Sequence, residues 1–141
     1  MDHVVYTDAK AKELDSLIAG TKTMIIRGAA GRKLPHGRVN IGDTLYFMNN
    51  DGECTVKAKG DVIDVYNSDK MSENESISLV EKHQDKLILT DRQFKRWAGK
   101  RYLVLIQVGN IEAVEPFRID KSNYGNMDDW LPVENINNVR L

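Results

Sequence analysis

The 141-residue sequence has few of the residues that mark common kinds of functional site. It contains one cysteine, Cys54, which excludes an internal disulfide and favours a reducing compartment. Its three histidines, His3, His36 and His83, lack the spacing of metal ligands, so we predict no metal site. The glycine-rich residues 28–31 lack the Lys-Ser/Thr pair of a phosphate-binding P-loop, and we predict no cofactor.

Long apolar runs and a strong net charge are also absent. No apolar segment approaches the length that spans a bilayer, and the N-terminus has no signal-peptide pattern. We therefore expect a cytoplasmic protein with no membrane partner. The net charge of -1 provides no overall field that would attract nucleic acid. The charge is nevertheless uneven, because residues 1–38 hold seven Lys/Arg against four Asp/Glu, and residues 91–105 hold five against one.

The chain has the length of one domain, and we assign residues 1–141 to a single domain. Capping boxes at Ser72/Glu75 and Thr90/Gln93 indicate two helices. Asn and Gly residues at 49–52 indicate a hairpin turn. The predicted elements are a strand at 3–7, a helix at 8–19, a strand at 22–27, strands between 44 and 65, helices at 72–82 and 90–97, and strands at 102–108 and 111–117.

The fold prediction depends on a change of phase in the second half of the hairpin. Apolar residues alternate up to Ala58, and after Gly60 and Asp61 the inward positions become Ile63 and Val65. A glycine at such a point predicts a β-bulge, which bends a long strand around a small barrel. Together with the element order, this predicts an α+β fold: a small mixed, mostly antiparallel β-barrel with peripheral helices.

The strand at residues 22–27 carries a cation at each end. Gly20 suits the left-handed position that ends a helix, and a period of two puts Lys22 and Arg27 on opposite faces of an ideal strand. Two cations on one buried strand are costly unless they line a pocket or reach solvent. We therefore predict that this strand is one wall of a site for an anionic or hydrogen-bond-rich ligand. The structural alternative is a salt bridge from Arg27 to Asp43 or Asp61.

The loop at residues 28–38 extends this basic region. Arg32, Lys33, His36 and Arg38 are suited to loose contacts with phosphates, and with Lys22 and Arg27 they form the predicted ligand-binding set. The alternative is a solvated connection between two strands.

The residues around this strand resemble the ASCH domain of the PUA-like superfamily. The family signature, Gly-x-Lys-x-x-(Glu or Thr)-x-Arg, is matched by Gly20, Lys22 and Arg27, and Gly42 and Asp43 match its next strand start. The resemblance covers residues 3–115 and leaves 116–141 as a C-terminal extension packed on the domain. It implies a six-stranded barrel with a cleft for RNA, a nucleotide or a nucleoside.

Within that family, the chain is similar to the small bacterial N(4)-acetylcytidine amidohydrolases. Ile25 stands where those enzymes have a catalytic threonine, and an isoleucine cannot act as a nucleophile or an acid. Thr23 is the nearest hydroxyl on the same strand face, and Asp85 corresponds to the family's carboxylate. The catalytic residues of an enzyme would therefore be Lys22, Thr23 and Asp85.

We interpret the chain first as a binding module for RNA or a nucleotide-like ligand. The alternative is an amidohydrolase that acts on a modified nucleoside, impaired or altered by Ile25. A third interpretation is an adapter whose basic loop binds an acidic protein. Trp97 lies on an apolar helical face and is predicted to be core, whereas Trp130 is the better candidate for an aromatic that stacks on a base, unless it anchors the tail.

Overall fold

The computed structural model describes residues 1–124 and 129–141, so part of the predicted C-terminal extension lies outside the described residues. Within these two segments the structure contains six strands and four helices. The strands are β1 (Asp2–Thr7), β2 (Met24–Ala29), β3 (Thr44–Asn49), β4 (Thr55–Asn67), β5 (Tyr102–Arg118) and β6 (Trp130–Glu134). The helices are α1 (Glu13–Ala19), α2 (Glu73–Lys82), α3 (Gln84–Leu87) and α4 (Asp91–Trp97), followed after β6 by a 3-10 turn at Ile136–Asn138.

The strands form one curled sheet in the order β2-β5-β4-β3-β1-β6. Strands β1 and β3 run parallel, and the other neighbouring pairs are antiparallel. The sheet curls into a half-barrel with the helices at its periphery, which confirms the predicted α+β barrel. Strand β6 comes from the C-terminal segment and pairs with β1, so this segment completes one edge of the sheet.

The curl depends on irregularities in the two longest strands. The pairing between β4 and β5 shifts between Lys59 and Asp61, but β4 keeps its phase there, since Ala58, Gly60 and Val62 are all buried. The phase of β4 changes instead at the next shift, between Val62 and Asp64, so the prediction of an inward Ile63, which is 43% exposed, is wrong. Gly60 is needed at the first shift, since a Cβ there would collide with Ile111 and lie 3.2 Å from the Gly109 carbonyl oxygen.

The helices follow their sequence signals except at one end. Both predicted capping boxes are present, with Ser72 and Thr90 as the N-caps of α2 and α4. Helix α1 begins at Glu13 rather than at Asp8. The reason is local: the Asp8 carboxylate accepts the N–H of Ala11 at 3.1 Å, and Lys12 has a left-handed backbone with φ 54°. This turn precedes α1, whose buried residues are Glu13, Leu14 and Leu17.

The core has three apolar clusters, and alternate residues of β2 belong to different ones. Ile25 packs inside the curl, whereas Met24 and Ile26 pack under the helices together with Trp97, which confirms the predicted core position of Trp97. The third cluster joins β1, β3 and β4 to the C-terminal segment. Trp130 is 1% exposed inside the curl, so it anchors the tail, and the alternative of a surface aromatic is wrong. No helix in the described part of the chain is long and apolar enough to cross a bilayer.

Candidate functional site

Lys22 is a buried cation at the junction between α1 and β2. Its side chain is 2% exposed, and its Nζ lies 3.4 Å from Glu13 Oε2 and donates to the carbonyl oxygen of Leu87. Burial lowers the pKa of Lys22, while the Glu13 carboxylate raises it and the charge of Arg27 lowers it further. Lys22 therefore supports the Glu13 carboxylate through this contact. Lys22 itself does not line any of the three cavities described below.

Glu13 is the carboxylate that sequence reasoning missed. Its Oε1 accepts the backbone N–H of Asp8 at 3.2 Å, and its Oε2 lies 3.5 Å from Nε2 of Gln93 on α4. One signal could have identified it, because Glu13 stands four residues before the buried Leu17 and so shares the apolar face of α1. A carboxylate on that face requires a buried partner, and Lys22 is that partner.

Arg27 spans the gap between the two ends of the curled sheet. Its Nη1 donates to the carbonyl oxygen of Ile26 at 2.8 Å, and its Nη2 donates to that of Tyr6 on β1 at 2.6 Å. Its Nε lies 3.1 Å from Asp129 Oδ2 but is not aligned to donate, so Nε is buried without a hydrogen-bond acceptor among the described residues. Thus the ion pair predicted for Arg27 exists, but with Asp129 and not with Asp43 or Asp61.

Three adjoining cavities at this junction form what we call the cleft. A recess of about 80 Å3 lies over Glu13 and Arg27, a cavity of about 520 Å3 opens beside Asp8 and Asn50, and one of about 260 Å3 opens toward the loop at 28–38. All three are lined by Arg96. The cations that line the cleft are Lys10, Arg27, Lys33, Arg92, Arg96 and Lys100.

The two basic segments of the sequence meet in the 260 Å3 cavity. Arg27 and Lys33 come from the first segment, and Arg96 and Lys100 come from the second. The guanidinium of Arg96 lies over the Trp97 ring, 4.3 Å from its centroid, which keeps this exposed arginine close to the wall. Sequence reasoning noticed the charge of residues 91–105 but could not place individual side chains of that segment in the site.

The loop at residues 28–38 contributes one charged side chain to the cleft, beside the apolar Leu34. Lys33 lines the 260 Å3 cavity. The guanidinium of Arg32 lies 5.7 Å from the Tyr102 ring, and Nε2 of His36 is 2.8 Å from the carbonyl oxygen of Ser68, so both are tied to the scaffold beside the cleft. Arg38 is exposed.

The residues proposed for catalysis, Lys22, Thr23 and Asp85, do not line the three cavities of the cleft. Thr23 is half-buried, and its backbone donates to Lys86 at 3.1 Å and accepts from Val108 at 2.9 Å. Asp85 is exposed on α3, and Lys22 has Glu13 as its carboxylate partner instead. Ile25 is fully enclosed in the core. In residues 1–124 and 129–141 no group of three His, Cys, Asp or Glu side chains is placed to hold a metal ion.

The arrangement described so far has the fold of ASCH domain proteins. No protein-family model matches the sequence, and no curated protein matches it. Among solved structures, the ASCH protein of Zymomonas mobilis is 15% identical, with 94% of this chain and 89% of that chain covered and a TM-score of 0.64.

Two variants of the same Zymomonas mobilis protein give similar values. A tyrosine-to-phenylalanine variant is 12% identical to this chain, and the two structures superpose with a TM-score of 0.67. The match covers 92% of this chain and 87% of the variant. A serine-to-alanine variant has the same identity and TM-score, and the match covers 92% of this chain and 85% of that variant. The resemblance carried by Gly20, Lys22 and Arg27 is thereby confirmed at the level of the fold.

Proposed function

We propose that the protein is a binding module for RNA or a nucleotide-like ligand, which it holds in the cleft. The observation that carries this proposal is the 260 Å3 cavity, where four cations, Arg27, Lys33, Arg96 and Lys100, and one acidic residue, Asp129, line the wall within residues 1–124 and 129–141. Arginine binds phosphate oxygens with a planar pair of donors, and lysine adds a compact charge. The ASCH-like fold supports the proposal, since a nucleic-acid ligand is what the resemblance to that family implies.

The grouping of cations in the cleft favours a ligand that contacts only a small area of the protein. The whole chain carries a net charge of -1, so attraction for an anion depends on local groups of cations such as the one in the cleft. A ligand that offers one or a few phosphates, such as a nucleotide or a short single strand, matches this distribution better than a long duplex does. Phosphate contacts of this kind position a nucleic acid and do not read its sequence.

The proposal is tested by replacing two pairs of cations. Lys33→Ala with Lys100→Ala removes charge from the cleft, whereas Arg32→Ala with Arg38→Ala removes the same charge from outside it. We expect the first pair to weaken binding of a short single-stranded RNA in fluorescence anisotropy and to reduce the salt slope by about 0.7 per lost phosphate contact. The second pair should change both quantities less. Equal effects of the two pairs would place the RNA outside the cleft.

The second candidate function is hydrolysis of a modified nucleoside such as N(4)-acetylcytidine. The observation that favours it is the Lys22–Glu13 pair, because burial lowers the pKa of Lys22 and Glu13 lines the 80 Å3 recess. Glu13 is the member of the pair that faces the recess, and a carboxylate in that position is suited to general-base chemistry. Since Ile25 supplies no nucleophile and is enclosed in the core, we expect little hydrolysis by the unchanged chain. Rapid turnover by the unchanged chain, measured by release of acetate, would favour the enzyme over the binding module.

A further inference from the structure

The Asp129 carboxylate lies between two arginines that come from different elements. Its Oδ2 is 3.1 Å from Nε of Arg27 on β2 and 3.8 Å from Nη2 of Arg96 on α4. The backbone carbonyl of Asp129 accepts the N–H of Tyr6 at 3.1 Å, which ties its main chain to β1. The half-buried carboxylate can therefore leave the arginines by rotation of its side chain alone.

Arg27 has an unused donor at this position. Two of its nitrogens donate to the carbonyl oxygens of Ile26 and Tyr6, but its buried Nε lacks an aligned acceptor among the described residues, although Asp129 is close. A buried donor without an aligned acceptor is unfavourable, so an acceptor placed in line with Nε is stabilising. A tetrahedral group with several oxygens can align one with Nε and another with Arg96, which one carboxylate does not do here.

Asp129 also stands at the boundary between two cavities of the cleft. The recess of about 80 Å3 and the cavity of about 260 Å3 share four lining residues, Arg27, Arg96, Trp97 and Asp129. Rotation of the Asp129 side chain away from this boundary would join the cationic cavity to the recess over Glu13. A ligand whose anionic group replaced the carboxylate would have room in both the recess and the cationic cavity.

We propose that Asp129 is an internal counter-anion, and that a phosphate group of the ligand replaces its carboxylate between Arg27 and Arg96. This inference rests on the proposed function and names the chemical group of the ligand, a phosphate, that binds between the two arginines. A terminal phosphate of a mononucleotide and a backbone phosphodiester share the required chemistry, since both present anionic oxygens to paired arginines.

The test compares Asp129→Asn with Asp51→Asn, using inorganic phosphate, cytidine 5′-monophosphate and cytidine as probes in calorimetry at constant ionic strength. Asp51→Asn removes one negative charge from the same cleft, at a carboxylate that is not paired with Arg27 or Arg96 in the described part of the chain. For Asp129→Asn we expect roughly tenfold tighter binding of the two phosphate-containing probes, which corresponds to about 1.4 kcal/mol, and unchanged binding of cytidine. Asp129→Ser, which also clears the position, should behave in the same way. An equal gain in Asp51→Asn, or no phosphate binding by either Asp129 variant, would overturn the inference.

A second comparison separates this mechanism from a general change in charge. In the background of Arg96→Gln, the gain from Asp129→Asn should shrink to less than about threefold, because one of the two arginines is gone. A full gain in that background would contradict the inference. A short RNA without terminal phosphates distinguishes the two sources: a gain for this RNA identifies a backbone phosphodiester, and a gain for the mononucleotide identifies a terminal phosphate. Either gain supports the inference.

The same measurements separate failure of the inference from failure of the proposed function. RNA or nucleotide binding that is equal in the unchanged protein and in Asp129→Asn would keep the proposed function and reject the role of Asp129. Binding of inorganic phosphate that is tighter in Asp129→Asn, without binding of any nucleotide or RNA, would keep the role of Asp129 and reject the proposed function.

Discussion

The indole N–H of Trp130 donates a 3.0 Å hydrogen bond to Nδ1 of His3. The other ring nitrogen of His3, Nε2, lies 2.8 Å from Asp43 Oδ2. Because an indole can only donate, Nδ1 must accept, so the imidazole is neutral and carries its proton on Nε2. These contacts connect β6 to β1 and to the Gly42–Asp43 turn, and they fix the C-terminal segment to the sheet.

Acidification should weaken this connection. Burial lowers the pKa of His3 below its ordinary value of 6.5, against the opposing effect of Asp43. The stabilisation that neutral His3 provides is therefore complete above about pH 6.5 and is lost as the pH falls through the lower pKa of the folded state. We expect the free energy of unfolding, measured with urea, to fall as the pH drops below about 6.5, by at most about 1.4 kcal/mol per pH unit from this group.

Two histidine variants provide the control for that pH dependence. His3→Gln removes the titrating group, and it should flatten the profile below the ordinary histidine pKa of 6.5 even though it lowers stability at neutral pH. His83→Gln makes the same substitution at a half-buried histidine at the end of α2 and is the control for the change of side chain. An equal slope in His3→Gln and in the unchanged protein would assign the pH dependence to other groups.

Features of the fold could be predicted where the residues that determine them lie close together in the sequence. The capping boxes at Ser72 and Thr90 are local, since each links residues three positions apart, and both helices were predicted correctly. Gly60 does mark a shift in strand pairing, but β4 keeps its phase until the next shift, after Val62, which no glycine or proline marks. The phase change was therefore placed too early, and the face assigned to Ile63 was wrong.

The remaining features depend on contacts between distant segments. Strand β6 contains Pro132, which is tolerated because β6 is an edge strand, but a proline in a short polar tail gives no strand signal. In the cleft, Arg27 and Lys33 could be proposed from the ASCH-like motif and the loop after it. Arg96 and Asp129 could not, because their place beside Arg27 arises only when α4 and the C-terminal segment pack against β2.

Gly60 provides a test of the bulge that curls the sheet. A Cβ at this position would collide with the Ile111 side chain and press on the Gly109 carbonyl, so Gly60→Ala should lower the free energy of unfolding by about 1–3 kcal/mol. Ile111→Val removes the outermost methyl group of that contact and should restore part of the loss in the double variant. Gly31→Ala is the control, since nothing lies within 4 Å of the position that an alanine Cβ would take there, and its unfolding in urea should match that of the unchanged protein.

The Lys22–Glu13 pair provides a test of buried charge. Lys22→Met leaves the Glu13 carboxylate buried without its cation, and breaking a buried pair in this way costs about 3–5 kcal/mol. In the double variant Lys22→Met with Glu13→Gln no unpaired charge is left, so it should be less destabilised than Lys22→Met alone. The exposed pair of Lys57 and Glu53 is the matched control, and Lys57→Met should cost less than about 1 kcal/mol. If denaturation gave similar losses for Lys22→Met and Lys57→Met, the buried pair would have no special structural role.

Arg27 provides a test of the contact that spans the open side of the half-barrel. Arg27→Lys keeps the positive charge but cannot donate to both Ile26 and Tyr6, because the planar guanidinium is lost. Since hydrogen bonds from charged groups contribute about 1.5–3 kcal/mol each, we expect a loss of at least about 2 kcal/mol in the free energy of unfolding. Arg38→Lys makes the same change at an exposed position and should have no measurable effect.

Amide hydrogen exchange locates the effect of Arg27→Lys. The N–H of Tyr6 donates to the carbonyl oxygen of Asp129, so this amide reports directly on the junction between β1 and the residue before β6. If Arg27 holds that junction together, the Tyr6 amide should exchange faster in Arg27→Lys, while amides in the middle of the β4–β5 ladder should change only with global stability. Uniform changes across the sheet would show that Arg27 stabilises the fold as a whole and has no particular part in closing its open side.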